Sequence, residues 1–230
     1  MLLATFRVGS GLHLATVAVC LVLVGLFLVL ARNASPERRR RLRAMIGWGC
    51  LLVWIMNTLY WAMPGRFSWA TSLPIHVCNL ANLIGAVAVL RHQRIFQGLL
   101  YFWAFSLCIW AFITPTVGLG PARPGFWVFW IYHLFIGLAV AQVLVVDRFR
   151  PSGRDLLNAI LCTLFYVAVV ATLDRVFGWN YGFLGASVPT VPTPVDLLGP
   201  YPLRLLWMCL IGAVAFVILW LPWRLAVSKG

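Results

Sequence analysis

Acidic residues are scarce: the 230-residue chain has five Asp and Glu, and charged residues of either sign make up 10% of it. A soluble domain carries about 25% charged residues, so this chain lacks the means to cover itself with water. There is no polar stretch long enough for a separate soluble domain. The six cysteines form no CxxC pair. Five of them, Cys20, Cys50, Cys108, Cys162 and Cys209, sit in apolar runs where a thiol behaves as a small hydrophobe, which argues against a disulfide framework. The first apolar run has no small-residue cleavage site and ends in an arginine block, so it reads as a first span or signal anchor rather than a removed signal peptide. No internal repeat points to a transporter built from inverted halves.

What is there instead is apolar: 63% of residues are hydrophobic and mean hydropathy is +0.94. A spanning helix needs about 20 such residues. Seven runs meet that need, at 11–31, 44–63, 73–90, 96–116, 125–146, 155–175 and 201–223. Only helices and closed barrels satisfy the backbone in lipid, and runs of this length predict an all-α polytopic bundle, a single transmembrane domain over residues 1–230. The net charge of +13 is mostly topological. Arg32, Arg38 to Arg41, Arg43, Arg91, Arg94, Arg148, Arg150, Arg154, Arg224 and Lys229 fall on one side, while Arg7, Arg66 and Arg123 fall on the other. By the positive-inside rule the N-terminus is outside and the C-terminus cytoplasmic. The Arg38 to Arg41 run then reads as an orientation signal and not as a nucleic-acid site. Trp61, Trp69, Trp127 and Trp179 at one interface, and Trp48, Trp220 and Trp223 at the other, read as anchors.

The polar groups within spans collect in the outer half. His76, Cys78, Asn79 and Asn82 open the third span, His133 lies about two turns into the fifth, and Asn57 is near the outer end of the second. The long loop after the sixth span carries Asn180, Tyr181 and Asp196. With Ser72 as N-cap and Pro74 in the first turn, the four polar residues of the third span would share a helix face about 160° wide. Cys78 would sit where the helix dipole favours a thiolate. His76, two residues away, points elsewhere on a regular helix, which makes His133 the better base. Three readings stay open on these residues alone: nucleophilic acyl transfer by Cys78 and His133 with His76 or Asn79 as oxyanion donors, a structural polar cluster tying helices together, and metal or haem ligation by His76 and His133. His13 and His92 read as solvated or interfacial, Asp174 and Arg175 as an interfacial pair, and Arg204 as a partner for Asp196 or a lipid phosphate.

The segments LPIHVCNL, YHLFIG, NYGFL and LLGPYP, in that order between Ser72 and Trp223, resemble the YwaF-type bacterial integral membrane proteins. That family is similar to eukaryotic multi-span phospholipid acyltransferases acting through a cysteine acyl-enzyme, and more remotely to membrane lipid hydrolases with a Thr–His pair. The resemblance implies Cys78 as nucleophile and His133 as base, with His76, Asn180 and Tyr181 at motif positions. It implies a multi-pass protein of the bacterial cytoplasmic membrane, acting on membrane phospholipid without metal or other cofactor. The alternative is a non-enzymatic carrier or binding protein for a lipid or small molecule.

Overall fold

The computed structural model describes residues 5–186 and 193–227, the last two of these as backbone. Among the described residues seven long helices follow in order: α1 (Gly11–Arg32), α2 (Pro36–Ala62), α3 (Val77–Arg91), α4 (Arg94–Ile113), α5 (Pro124–Val146), α6 (Gly153–Phe177) and α7 (Leu203–Val227). Among the described residues the only β pairing is a single bridge between Thr5 and Leu119. Six of the helices are long and apolar enough to cross a membrane; α3, at 15 residues, is shorter.

Helix starts follow the local sequence. Ser10 accepts from the His13 amide, Ser35 precedes Pro36 and accepts from the Arg38 amide, and Ser152 with Asp155 closes a reciprocal capping box. Each satisfies amide groups that the helix itself leaves unpaired. The arginine run expected in a connecting loop is instead wound into the first turns of α2, with Glu37 beside it.

The central layer is α2, α3, α4 and α5, with α3 packed against the other three. The most apolar stretch of α5 is 61% buried within the protein and that of α7 only 6%, so α7 turns its Leu206, Leu210 and Val217 outward to lipid. Close approach rests on small residues, as is usual where lipid supplies no hydrophobic drive between helices. Ala81 and Ala88 of α3 are fully buried. A methyl on Gly49 of α2 would come within 2.0 Å of the Phe135 ring on α5.

Side-chain ties hold both ends. At the arginine-rich end Arg43 reaches Asp147 at 2.8 Å and Arg94 reaches Asp155 at 2.6 Å. At the other end the Phe6 amide donates to Gly118 O (3.1 Å). His13, expected to be solvated or interfacial, is buried there: Nδ1 accepts from the Gly9 amide and Nε2 donates to Phe112 O at 2.9 Å, joining α1 to the end of α4. The turn before α1 folds back on its own histidine, and hydropathy carries no sign of that.

The third span departs furthest from expectation. Pro74 and Ile75 are not helical, α3 starts at Val77, and its N-cap is His76 rather than Ser72. Ser72 instead accepts from the Ser68 amide (3.0 Å) within the preceding turn. The reason lies outside the segment. Tyr181 Oη accepts from the Leu73 amide (2.9 Å) and donates to Trp69 O (2.6 Å), while Tyr166 Oη donates to Ile75 O (3.0 Å). The Tyr166 hydroxyl thus serves Ile75 O, which a continued helix would pair with the Asn79 amide, and Tyr181 ties the Leu73 amide and Trp69 O of the preceding turn.

Candidate active site at the start of the third helix

Cys78 is the second residue of α3, and the N-cap His76 gives no side-chain bond to the first turn. The amides of Asn79 and Leu80 both donate to His76 O. The Cys78 N–H therefore lies at the helix start outside the intrahelical ladder, where the positive end of the helix dipole is strongest.

Two polar side chains from other helices neighbour the Cys78 thiol, His133 from α5 and Cys108 from α4. His133 is buried, packed against Phe129 at 4.3 Å between ring centroids, and its Nδ1 is 2.8 Å from Phe129 O. A carbonyl can only accept, so Nδ1 carries a proton, and in the neutral ring Nε2 keeps its lone pair. Cys108 gets its place from a π-helical turn over Ala104–Cys108, and such bulges often mark functional sites.

The remaining expected residues divide. The His76 ring packs on Tyr181 at 4.9 Å, and its Nδ1 accepts from the Gly182 amide at 3.2 Å. An amide can only donate, so the His76 proton is on Nε2, making that nitrogen a donor and not a metal ligand. Among the described residues no group of three His, Cys, Asp or Glu is placed to hold a metal. Asn79 Oδ1 accepts a short hydrogen bond from Tyr132 Oη. Asn82, fully buried, donates to Tyr132 O at 3.2 Å and to Cys78 O at 3.4 Å, with Oδ1 left unpaired. Asn79 and Asn82 thus join α3 to α5 beneath Cys78.

Asn180 and Tyr181 build the neighbouring loop. Asn180 Oδ1 accepts from the Gly185 amide at 2.9 Å. Tyr181 is completely buried, and its amide donates to Asp174 Oδ1 at 3.0 Å. Asp174, expected to pair with Arg175, thus turns inward to this loop while Arg175 is exposed. Burial pushes the Tyr181 hydroxyl above its ordinary pKa. Gly182 has φ +62°, and a Cβ there would meet Tyr166 Oη at 2.7 Å. Arg204 makes a short bond to Gly185 O, while Asp196 caps Thr193, so the Arg204–Asp196 pair expected from sequence gives way to loop contacts.

Beside the site an apolar groove of about 300 Å³ opens between α3, α4 and α6, walled by Ile75, Leu80, Trp103, Phe165 and Tyr166 among others. Ile75 and Leu80 bracket Cys78 in sequence.

A family model described as the TMEM164 family matches residues 8–220, nearly the whole described bundle. The chain belongs to the TMEM164 family. It is accordingly a multi-pass integral membrane protein. Neither a curated protein nor a solved structure matches it. In this TMEM164-family chain, sequence reasoning missed Cys108, Tyr132 and Tyr166. Cys108 is hidden in an apolar run, and the two tyrosines matter only through contacts with backbone or side chains far off in sequence.

Proposed function

We propose that the protein transfers or hydrolyses phospholipid acyl chains through a Cys78 acyl-enzyme. The observation that carries this reading is the contact of His133 Nδ1 with Phe129 O. With Nδ1–H held by Phe129 O, the nitrogen left for the neighbouring Cys78 thiol is a base.

His133 Nε2 takes the proton from Cys78 as Sγ attacks the ester carbonyl carbon. Negative charge develops on the carbonyl oxygen, and the Cys78 N–H and His76 Nε2–H are the donors suited to it. Collapse breaks the ester C–O bond and leaves the acyl group on Cys78 as a thioester. The departing lysolipid alkoxide takes the proton from His133. An acceptor hydroxyl, or water, then gives its proton to His133 and attacks the thioester, releasing the new ester or acid and restoring the thiol. The groove lined by Ile75, Leu80 and Phe165 is of a kind with an acyl chain. Asn79 and Asn82 hold α3 on α5, and Asn180 and Tyr181 hold His76 in place. The chain crosses the bacterial cytoplasmic membrane seven times, N-terminus outside, so that the site faces the outer leaflet.

Purified protein incubated with an activated acyl phospholipid probe should acquire a hydroxylamine-sensitive adduct. Cys78→Ser and His133→Ala should reduce thioester labelling at least 100-fold, the lower end of what general-base catalysis contributes. Labelling undiminished in Cys78→Ser would sink the acyl-enzyme. Stoichiometric lipid binding without any adduct would favour the carrier reading.

A further inference from the structure

At the arginine-rich end, opposite the end where Cys78 lies, a groove of about 590 Å³ runs between the ends of α1, α2, α5 and α7. Small-molecule sites fall in the range of about 300 to 1,000 Å³. Arg32, Arg39, Arg148 and Arg150 line it, and the rest of its wall is apolar, chiefly Leu144, Val145 and Trp223. No carboxylate is among its described lining residues.

Four guanidinium groups in one groove repel one another unless an anion sits between them. The three carboxylates at this end are committed elsewhere. Glu37 pairs with Arg41 at 2.6 Å and Asp155 with Arg94 at 2.6 Å. Asp147 is met by Arg43 at 2.8 Å, Gln142 at 2.8 Å and His92 at 3.6 Å.

Two of the four arginines are also held in position. Arg39 donates from Nε to Ala31 O (3.0 Å) and from Nη2 to Arg32 O (2.8 Å), covering the last turn of α1. Arg150 donates to Phe149 O at 3.2 Å, and its guanidinium lies 4.9 Å from the centre of the Trp223 ring. Both guanidinium groups are thus anchored at the groove wall before any ligand arrives, and a guanidinium fork matches the oxygens of a phosphate.

The geometry points to a seat for the head group of an anionic phospholipid in the leaflet at the arginine-rich end. Its phosphate meets the arginines, and its glycerol and acyl roots lie on Leu144, Val145 and Trp223. The apolar half of the wall favours a lipid over a free anion, because a free phosphate gains nothing from it. This site is independent of any chemistry at Cys78.

The test is lipid binding to full-length protein in detergent, read by native mass spectrometry with phosphatidylglycerol, phosphatidylcholine or inorganic phosphate. Phosphatidylglycerol should be retained in preference to phosphatidylcholine. An arginine near anionic lipid contributes on the order of 1 kcal/mol, about fivefold in affinity. Arg32→Gln with Arg148→Gln should therefore weaken phosphatidylglycerol binding about 25-fold. Arg38→Gln with Arg40→Gln, an equal charge change outside the groove, should change it less than about twofold. Arg148→Gln alone, at an exposed side chain, should cost about fivefold and serves if the double variant does not fold. Equal retention of phosphatidylcholine, equal losses from the two pairs, or competition by inorganic phosphate at lipid-like concentrations would each overturn the proposal.

Discussion

Replacing Tyr181 with Phe removes one oxygen and keeps the ring that packs on His76. That oxygen holds the turn before α3 by two bonds, donating to Trp69 O at 2.6 Å and accepting from the Leu73 amide at 2.9 Å. Trp69 is largely exposed, so water can replace the first partner, and its loss costs about 1 kcal/mol, the usual net value of a hydrogen bond. The Leu73 amide faces a fully buried ring and is left unpaired, which costs about 1–3 kcal/mol. The sum is about 2–4 kcal/mol, set against opening of this turn rather than global unfolding. Hydrogen exchange read by mass spectrometry in detergent checks it directly. Protection of the peptide containing Leu73 should fall at least about 30-fold, the equivalent of 2 kcal/mol. Peptides from α5 and the arginine-rich end should exchange as in the wild type. A change of less than about twofold at Leu73 would refute the view that a distant hydroxyl, and not the local sequence, keeps Pro74 and Ile75 out of helix.

Three further outcomes follow from the same geometry. Gly185→Ala should prevent correct folding of the loop after α6, since a Cβ there would lie 1.9 Å from Trp179 O; a cost of about 3 kcal/mol or more is expected in a detergent unfolding titration. Asp155→Asn should lower stability by about 1–3 kcal/mol, because it weakens both the Arg94 contact at 2.6 Å and the Ser152 capping box; Arg94 itself is exposed, so the cap supplies most of this, and the same titration measures it. Tyr181 contributes a stability term that is full below the ordinary tyrosine pKa of about 10. Its pKa is raised by burial, so that term declines as pH rises past 10 toward the folded value, and Tyr181→Phe should flatten the alkaline limb of the thermal stability profile.

Much of the architecture was legible because lipid imposes simple demands. Apolar length marked the helices, serines marked several starts, and arginine alternation separated the two ends. Cys78 and His133 could be expected at similar depth because position along two spans is readable from the residue count. The rest was not local. His76 became an N-cap because Tyr166 and Tyr181, about 90 and 105 residues away along the chain, took over the backbone before it. Cys108 arrived through one extra residue in a helical turn, which shifts a side chain around the axis without changing hydropathy. His13 and Asp174 were misjudged because a polar residue near a span end looks the same in sequence whether it faces water or an amide of its own loop.

The shortness of α3 fixes a depth. Fifteen residues at about 1.5 Å each rise about 22 Å, some 8 Å less than the roughly 30 Å hydrocarbon thickness of a bilayer. With Arg91 and Arg94 level with one interface, the start of α3 is sunk below the other. The Cys78 thiol, one residue into α3, then lies about 8 Å or more inside the hydrocarbon border, below the level at which phospholipid ester linkages ordinarily sit. On the acyl-transfer reading proposed above, a lipid ester would have to sink toward the bilayer centre by that distance to reach Cys78, rather than be lifted out of its leaflet.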